Sequence, residues 1–283
     1  METFPIVLAG TLILILASAY RSVRGTTLQA AWGWALFSAG SLCLAELVPS
    51  SSRGLLENLR LAAALTTFCP LVAVLGAKRP QSRAWQLIVL SLWVVLVLPV
   101  AESYFAGRGA VAKIHDARGW FLIVLIMIGV GNYAATRYWP SCWLVAAAQV
   151  MLLAGHLPLF RRMIGEDGQG WALGCLATAA LLARCGWPGR GTQRATVTDR
   201  IWIDYRDWFG MLWGLRMAQR LNDSALKHNE KIRLNWAGLE IGAMSPSEQI
   251  DAERGFRERF ARLLLRFVSP DWLQRRTSED SAG

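Results

Sequence analysis

Seven apolar runs fill the first two-thirds of this chain, and each approaches the length of about 20 helical residues that a bilayer core requires. They cover residues 4–20, 28–48, 59–77, 85–105, 119–137, 142–160 and 170–187. Only 18% of residues are charged, and those in the first two-thirds fall between the runs or near their ends, whereas a soluble chain of 283 residues scatters charge through every stretch. The pattern predicts an all-α membrane protein: a bundle of about seven transmembrane helices over 1–187, then a small, mostly helical cytoplasmic C-terminal region over 188–283. A cleaved signal peptide fits the first run poorly, because its basic residues, Arg21 and Arg24, follow the apolar stretch instead of preceding it.

Basic residues in short loops stay on the cytoplasmic side. Loops one, three and five carry Arg21, Arg24, Lys78, Arg79, Arg83 and Arg137; loops two, four and six carry Arg53, Arg60, Arg108, Lys113, Arg118, Arg161 and Arg162. The loops alone are nearly balanced. Arg184, Arg190, Arg194 and Arg200, close behind the last run, place the C-terminal region in the cytoplasm and, with seven crossings, the N-terminus outside.

The net charge of +10 does not imply a nucleic-acid partner. Residues 1–187 hold 14 Lys/Arg against 7 Asp/Glu, and the remainder interleaves 16 with 13, a distribution that suits loops facing anionic membrane lipids. Cys43, Cys69, Cys142, Cys175 and Cys185 lie in or beside the runs without a CxxC pair, and read as packing residues. HExxH, P-loop and G-x-S-x-G patterns are absent. No catalytic residue, metal site or cofactor is indicated.

Ionisable groups in membrane segments are costly and therefore mark candidate sites. With the N-terminus outside, Glu46, Glu57, Arg60, Glu102 and His156 converge on the outer leaflet, and His115 lies in the outer loop beside Asp116. Interfacial side chains reaching water, with Glu46 or Glu57 pairing Arg60, are the plain explanation. A metal or haem site built on His115 and His156 is the sharper one, and it lacks ligands. Asn132 and Gln149, deeper in their runs, read as hydrogen-bonding residues between helices.

Small residues every fourth position, Gly170–Gly174–Thr178 and Ala35–Ala39–Cys43, predict close helix contacts. Pro70, Pro99 and Pro158 predict kinks. Tyr20, Trp85, Tyr104, Trp120, Tyr138, Trp139, Trp143, Trp171 and Trp187 bracket the runs, as headgroup anchors do.

After a Pro/Gly-containing linker over 188–194, two amphipathic helices are expected, near 199–222 and 246–268. The first sets Trp202, Tyr205, Trp208, Phe209 and Trp213 on one face as a candidate interaction surface, for the lipid headgroups, the span ends or a protein partner, and Asp199, Arg200, Asp204, Arg206 and Asp207 on the opposite, polar face. The second begins at a capping box, Ser245-Pro246-Ser247-Glu248, carries Phe256, Phe260, Leu263, Leu264 and Phe267 as a stripe, and stops at Ser269-Pro270. Residues 231–236 alternate like a strand, which alone is not stable. The last residues, 277–283, read as disordered.

Function follows only as a class. The sparse mid-membrane polarity and the apolar tail faces point to a non-catalytic accessory, assembly or scaffolding membrane protein whose tail meets a partner or the membrane surface. A small-solute transporter is the alternative, and an outward-facing membrane enzyme or metal- or haem-handling protein using His115 and His156 is the second.

Overall fold

The computed structural model describes residues 3–49, 53–105, 112, 114–156, 168–185 and 196–278. The linker 188–194, Pro158, Arg108, Lys113, Arg161, Arg162, Trp187 and residues 279–283 lie outside them.

Helix dominates the described chain, in the order α1 Thr3–Ser18, α2 Tyr20–Val23, α3 Gln29–Glu46, α4 Arg53–Thr66, α5 Cys69–Leu75, α6 Ser82–Phe105, α7 Asp116–Tyr133, α8 Trp139–Ala154, α9 Gly168–Cys185, α10 Val197–Lys227, α11 Pro246–Leu264 and α12 Pro270–Ser278. Three segments are long and apolar enough to cross a membrane: Phe4–Val23, Gly54–Leu75 and Arg83–Phe105; Trp139–Ala154 is apolar but shorter.

α1 packs between α9 and α3, α3 meets α4, and α4 meets α8, which returns to α9, so these five helices close a ring. α6 flanks α4 and α5, and α7 lies along α8. Leu61, Ala63, Ala64 and Leu65 of α4 are all buried, which makes α4 the central strut. At its end Pro70 withholds the amide that would continue the helix, and the chain restarts as α5 with Pro70 in its first turn. The break is filled from neighbours: Gln149 Nε2 donates to the Thr67 carbonyl at 3.2 Å, and Trp93 Nε1 donates to Thr66 Oγ1 at 3.0 Å. Gln149 thus links α8 to the break, the interhelical role its position predicts.

Two packing expectations change. The Gly170–Gly174–Thr178 stripe meets nothing at its glycines and leaves Thr178 exposed; α9 instead buries Ala172, Leu173, Ala177 and Ala179. Trp85 is not a headgroup anchor, since its indole lies over Gly76, where an added Cβ would come within 1.9 Å of the ring, and donates to the Val72 carbonyl at 2.7 Å. Two further indoles act as helix staples: Trp32 donates to the Leu16 carbonyl at 2.7 Å, and Trp34 to Gln86 Oε1 at 2.9 Å.

The C-terminal region is not a separate body. α10 starts at a capping box on Thr196 and Asp199, and the other Asp199 oxygen takes the Leu239 amide at 2.7 Å. The strand-like stretch finds a partner: β1 (Ile232–Leu234) pairs antiparallel with β2 (Leu239–Ile241). Asn222 of α10 holds this hairpin by both ends of its amide, accepting from Leu234 N at 2.7 Å and donating to Leu234 O at 3.1 Å. α11 has the predicted capping box at Ser245 and Glu248 and buries Phe256, Phe260 and Leu264. Ser269-Pro270 does not end the order, because Ser269 Oγ accepts the Trp272 amide at 3.2 Å and α12 follows, running into the stretch read as disordered.

The region docks on one end of the bundle through the three odd-numbered connections. Thr27 N donates to Phe267 O at 2.9 Å, Arg79 N donates to Arg266 O at 2.8 Å, and Trp236 Nε1 donates to Ala135 O at 3.0 Å.

Candidate functional site

Charged side chains gather at both ends of the bundle, and the two gatherings differ in kind. At the end away from the C-terminal region, Arg60 of α4 grips Glu46 at the close of α3 with two bonds, Nη2 to Oε2 at 2.9 Å and Nε to Oε1 at 3.1 Å. Glu57, one turn earlier on α4, stands 3.9 Å from the same guanidinium. The Glu46 side chain is only 5% exposed, so the pairing compensates a buried carboxylate. Beside it, Asn58 Oδ1 accepts the Ala112 amide at 2.8 Å, fixing the fourth connection against α4.

Among the described residues, Glu102 and His115 do not join this triad by an ion pair or hydrogen bond. Glu102 of α6 and His115, before α7, are exposed, and neither makes such a contact among the described residues; His156 is half-buried just past α8. No group of three His, Cys, Asp or Glu suited to a metal occurs among the described residues. With Glu46 locked in a bidentate pair, the triad offers structural clamping of α3 to α4 instead of a free general base.

The opposite end holds a larger network that sequence periodicity did not reveal. Arg137, in the α7–α8 connection, bridges to Asp204 at 3.1 Å and lies 3.6 Å from Asp207. Arg206 binds Asp207 through Nε at 2.9 Å and Nη2 at 2.8 Å, and its Nη1 donates to Trp236 O at 2.5 Å. Arg276 of α12 pairs with Asp204 and lies 5.6 Å and 5.4 Å from the Trp208 and Trp272 ring centroids. Asp207 is 1% exposed at its side chain, and burial pushes its carboxyl above the usual range against the pull of Arg206 and Arg137. Asp204, Arg206 and Asp207 of the polar face are therefore built into a junction between α10, the hairpin, α12 and the bundle.

The candidate interaction surface meets the same fate. Trp202, Tyr205, Phe209 and Trp213 are buried, and Trp208 is half-buried. Tyr205 stacks on Phe209 at 4.9 Å, Phe267 of the α11–α12 connection meets Tyr205, Phe209 and Trp213 edge-on, and Trp208 meets Trp272. Trp202 Nε1 donates to Asn235 O, and Trp213 Nε1 to the Val74 carbonyl, both at 3.0 Å. The bundle end and the protein's own C-terminal elements cover Trp202, Tyr205, Phe209 and Trp213, and leave Trp208 half-buried.

One break in α10 makes this docking possible. Gly210 adopts φ 79°, ψ −178°, and the helix resumes with its Leu212 amide capped at 3.0 Å by Oδ1 of Asn132 from α7. An added Cβ on Gly210 would stand 2.2 Å from Asn132 Nδ2, so glycine is required both by conformation and by space.

The fold and sites define an all-α protein with apolar helices of membrane-crossing length and a C-terminal region clamped to one end. The chain matches no known protein-family model, no curated protein and no solved structure.

Proposed function

We propose that the chain is a multi-pass membrane protein of non-catalytic, accessory or scaffolding type, with seven crossings, the N-terminus outside and the C-terminal region forming a cytoplasmic platform rigidly joined to the inner span ends. The observation that carries the reading is the docking of that region on connections one, three and five together, through Thr27, Arg79 and Ala135. An odd number of crossings puts these three connections and the C-terminal region on one side, and the same connections hold Arg21, Arg24, Lys78, Arg79, Arg83 and Arg137.

The outer wall supports the lipid environment. Leu14 of α1, Leu44 of α3, Leu87 of α6 and Met127 of α7 are 72%, 66%, 66% and 61% exposed, an apolar surface that water disfavours. α3, α7 and α9, of 18 residues each, extend about 27 Å, close to a hydrocarbon core. Exposed Trp120, Trp139, Trp143 and Trp171 sit near helix ends, at headgroup depth for spanning helices. Of the polar groups that a transporter would turn toward a solute, Gln149 donates to Thr67 and Asn132 gives its Oδ1 to the Leu212 amide, which favours the scaffold over the transporter. Membrane lipids are the neighbours under this reading, and a cytoplasmic protein partner would use platform surfaces other than the aromatic face.

Single cysteines in a cysteine-free background test the reading. A membrane-impermeant maleimide is expected to label Glu102→Cys in right-side-out vesicles and Lys231→Cys only in inverted ones, and the same protein in sealed liposomes should carry no flux of ions or metabolites. Labelling of both positions from one side would overturn the topology; solute flux would overturn the scaffold.

A further inference from the structure

Beside α5, a small cleft is lined by Lys78, Arg216, Arg220 and Arg266 together with the apolar side chains of Trp213, Met217, Leu263 and Phe267, so the stems of the four basic residues form its walls with their charges toward the mouth, and no acidic residue lines it. None of these four side chains makes an ion pair or hydrogen bond with another described residue, whereas Arg206, Arg259 and Arg276 of the same region each hold a carboxylate. Arg216 lies over the Trp213 ring, 5.4 Å from its centroid, which turns it along the cleft wall. Tyr205 also lines the cleft; it is 1% exposed, and its hydroxyl is buried without a hydrogen-bond partner, within reach of the Arg220 charge. The cleft opens to solvent, and the space within it is about 20 Å³, room for one oxygen-sized group and not for a whole metabolite.

Four like charges along one wall repel, and a buried hydroxyl with no partner is costly, so both features are relieved by one anion seated at the mouth. A phosphate monoester carries up to two negative charges and three free acceptor oxygens, against one charge and two oxygens for a carboxylate, and guanidinium forks match its geometry. We infer that this cleft is a phosphate-binding site, in which one phosphoryl oxygen enters to accept the Tyr205 hydroxyl while the others lie among Lys78, Arg216, Arg220 and Arg266. The phosphate belongs to a lipid headgroup or to a soluble phosphate compound. Leu215 and Leu265, each next in sequence to an arginine of the cleft, are 53% and 37% exposed and suit an acyl chain beside the headgroup, and only this lipid arm rests on the platform lying at the membrane surface.

The test uses the full chain purified in an uncharged detergent and in nanodiscs. Inorganic phosphate and glycerol phosphate are titrated by calorimetry in detergent, and phosphatidic acid is compared with phosphatidylcholine by native mass spectrometry from nanodiscs. The expected result is saturable one-to-one binding of at least one phosphate monoester over phosphatidylcholine. Tyr205→Phe, which keeps the ring stack and removes only the hydroxyl, should weaken it about tenfold, and Arg220→Gln with Arg266→Gln, both at exposed positions, by more. Retention of phosphatidic acid alone identifies a lipid site, and binding of the soluble probes identifies a free-phosphate site. Absence of binding by every probe, or binding that neither variant weakens while circular dichroism shows both folded, would overturn the assignment and leave the topology, tested by cysteine labelling, untouched.

Discussion

Asn132 shows what a residue can and cannot announce. A carboxamide inside an apolar run must find a partner, and that much was legible. Its partner, the Leu212 amide of α10, lies 80 positions away and is exposed for capping only because Gly210 breaks the helix. Gly210→Ala combines a left-handed φ with a collision against Asn132, so it should cost about 3 kcal/mol in thermal or denaturant unfolding, whereas Gly33→Ala, in open space on α3, should change stability by less than about 1 kcal/mol. Two carboxylates give opposite pH slopes. Burial raises Asp207 above its usual 3.8, so the folded chain holds this proton more tightly than the unfolded chain and loses stability as pH rises above that value. Glu248 is held below 4.5 by the Ser245 amide and hydroxyl, so its contribution is present above that value and is lost as pH falls. Compared with Asp207→Asn, the native protein should lose stability as pH rises above 3.8; compared with Glu248→Gln, it should gain stability as pH rises toward 4.5 from below.

Among elements, the helices with a strong apolar period or a capping signature were readable, and those defined by their neighbours were not. Ser245-Pro246 and Ser269-Pro270 carry the same start signal, a capping serine followed by proline, and the second pair closes the stripe of α11 and also opens α12. α12 is held by tertiary contacts: Trp272 is buried, and Arg276 reaches Asp204. Ser269→Ala should remove the cap at a cost of about 1 kcal/mol and raise hydrogen exchange over 270–278 with α11 unchanged. The β1–β2 hairpin is half-visible as alternation at 231–236; its second strand is three residues long and is placed by Asp199 of α10, which accepts the Leu239 amide, while Asn222 holds Leu234 of the first strand. Helix α4–α5 looked like a single run because proline signals a kink without stating whether the helix bends or restarts.

For the molecule as a whole, the C-terminal region acts as the floor of the bundle, and removing it should harm more than the tail. Truncation after residue 196 would uncover the Val74 carbonyl that Trp213 satisfies, the Asn132 side chain and the Thr27 amide, so the melting temperature of the detergent-purified bundle should fall by several degrees. An unchanged melting temperature would mean that the region is an appendage. The sequence by itself determined the helical class, the apolar segments and the amphipathic faces of α10 and α11, since hydrophobic period, proline and capping residues act within a few turns of chain. It could not say what those faces cover. Only the tertiary structure decided that the aromatic face is largely buried in the protein itself, that Asp204 and Asp207 are bound by Arg137 and Arg276 from distant elements, and that four basic residues line one cleft with Tyr205, because periodicity states which side of a helix seeks burial while the partner is chosen by contacts far apart along the chain.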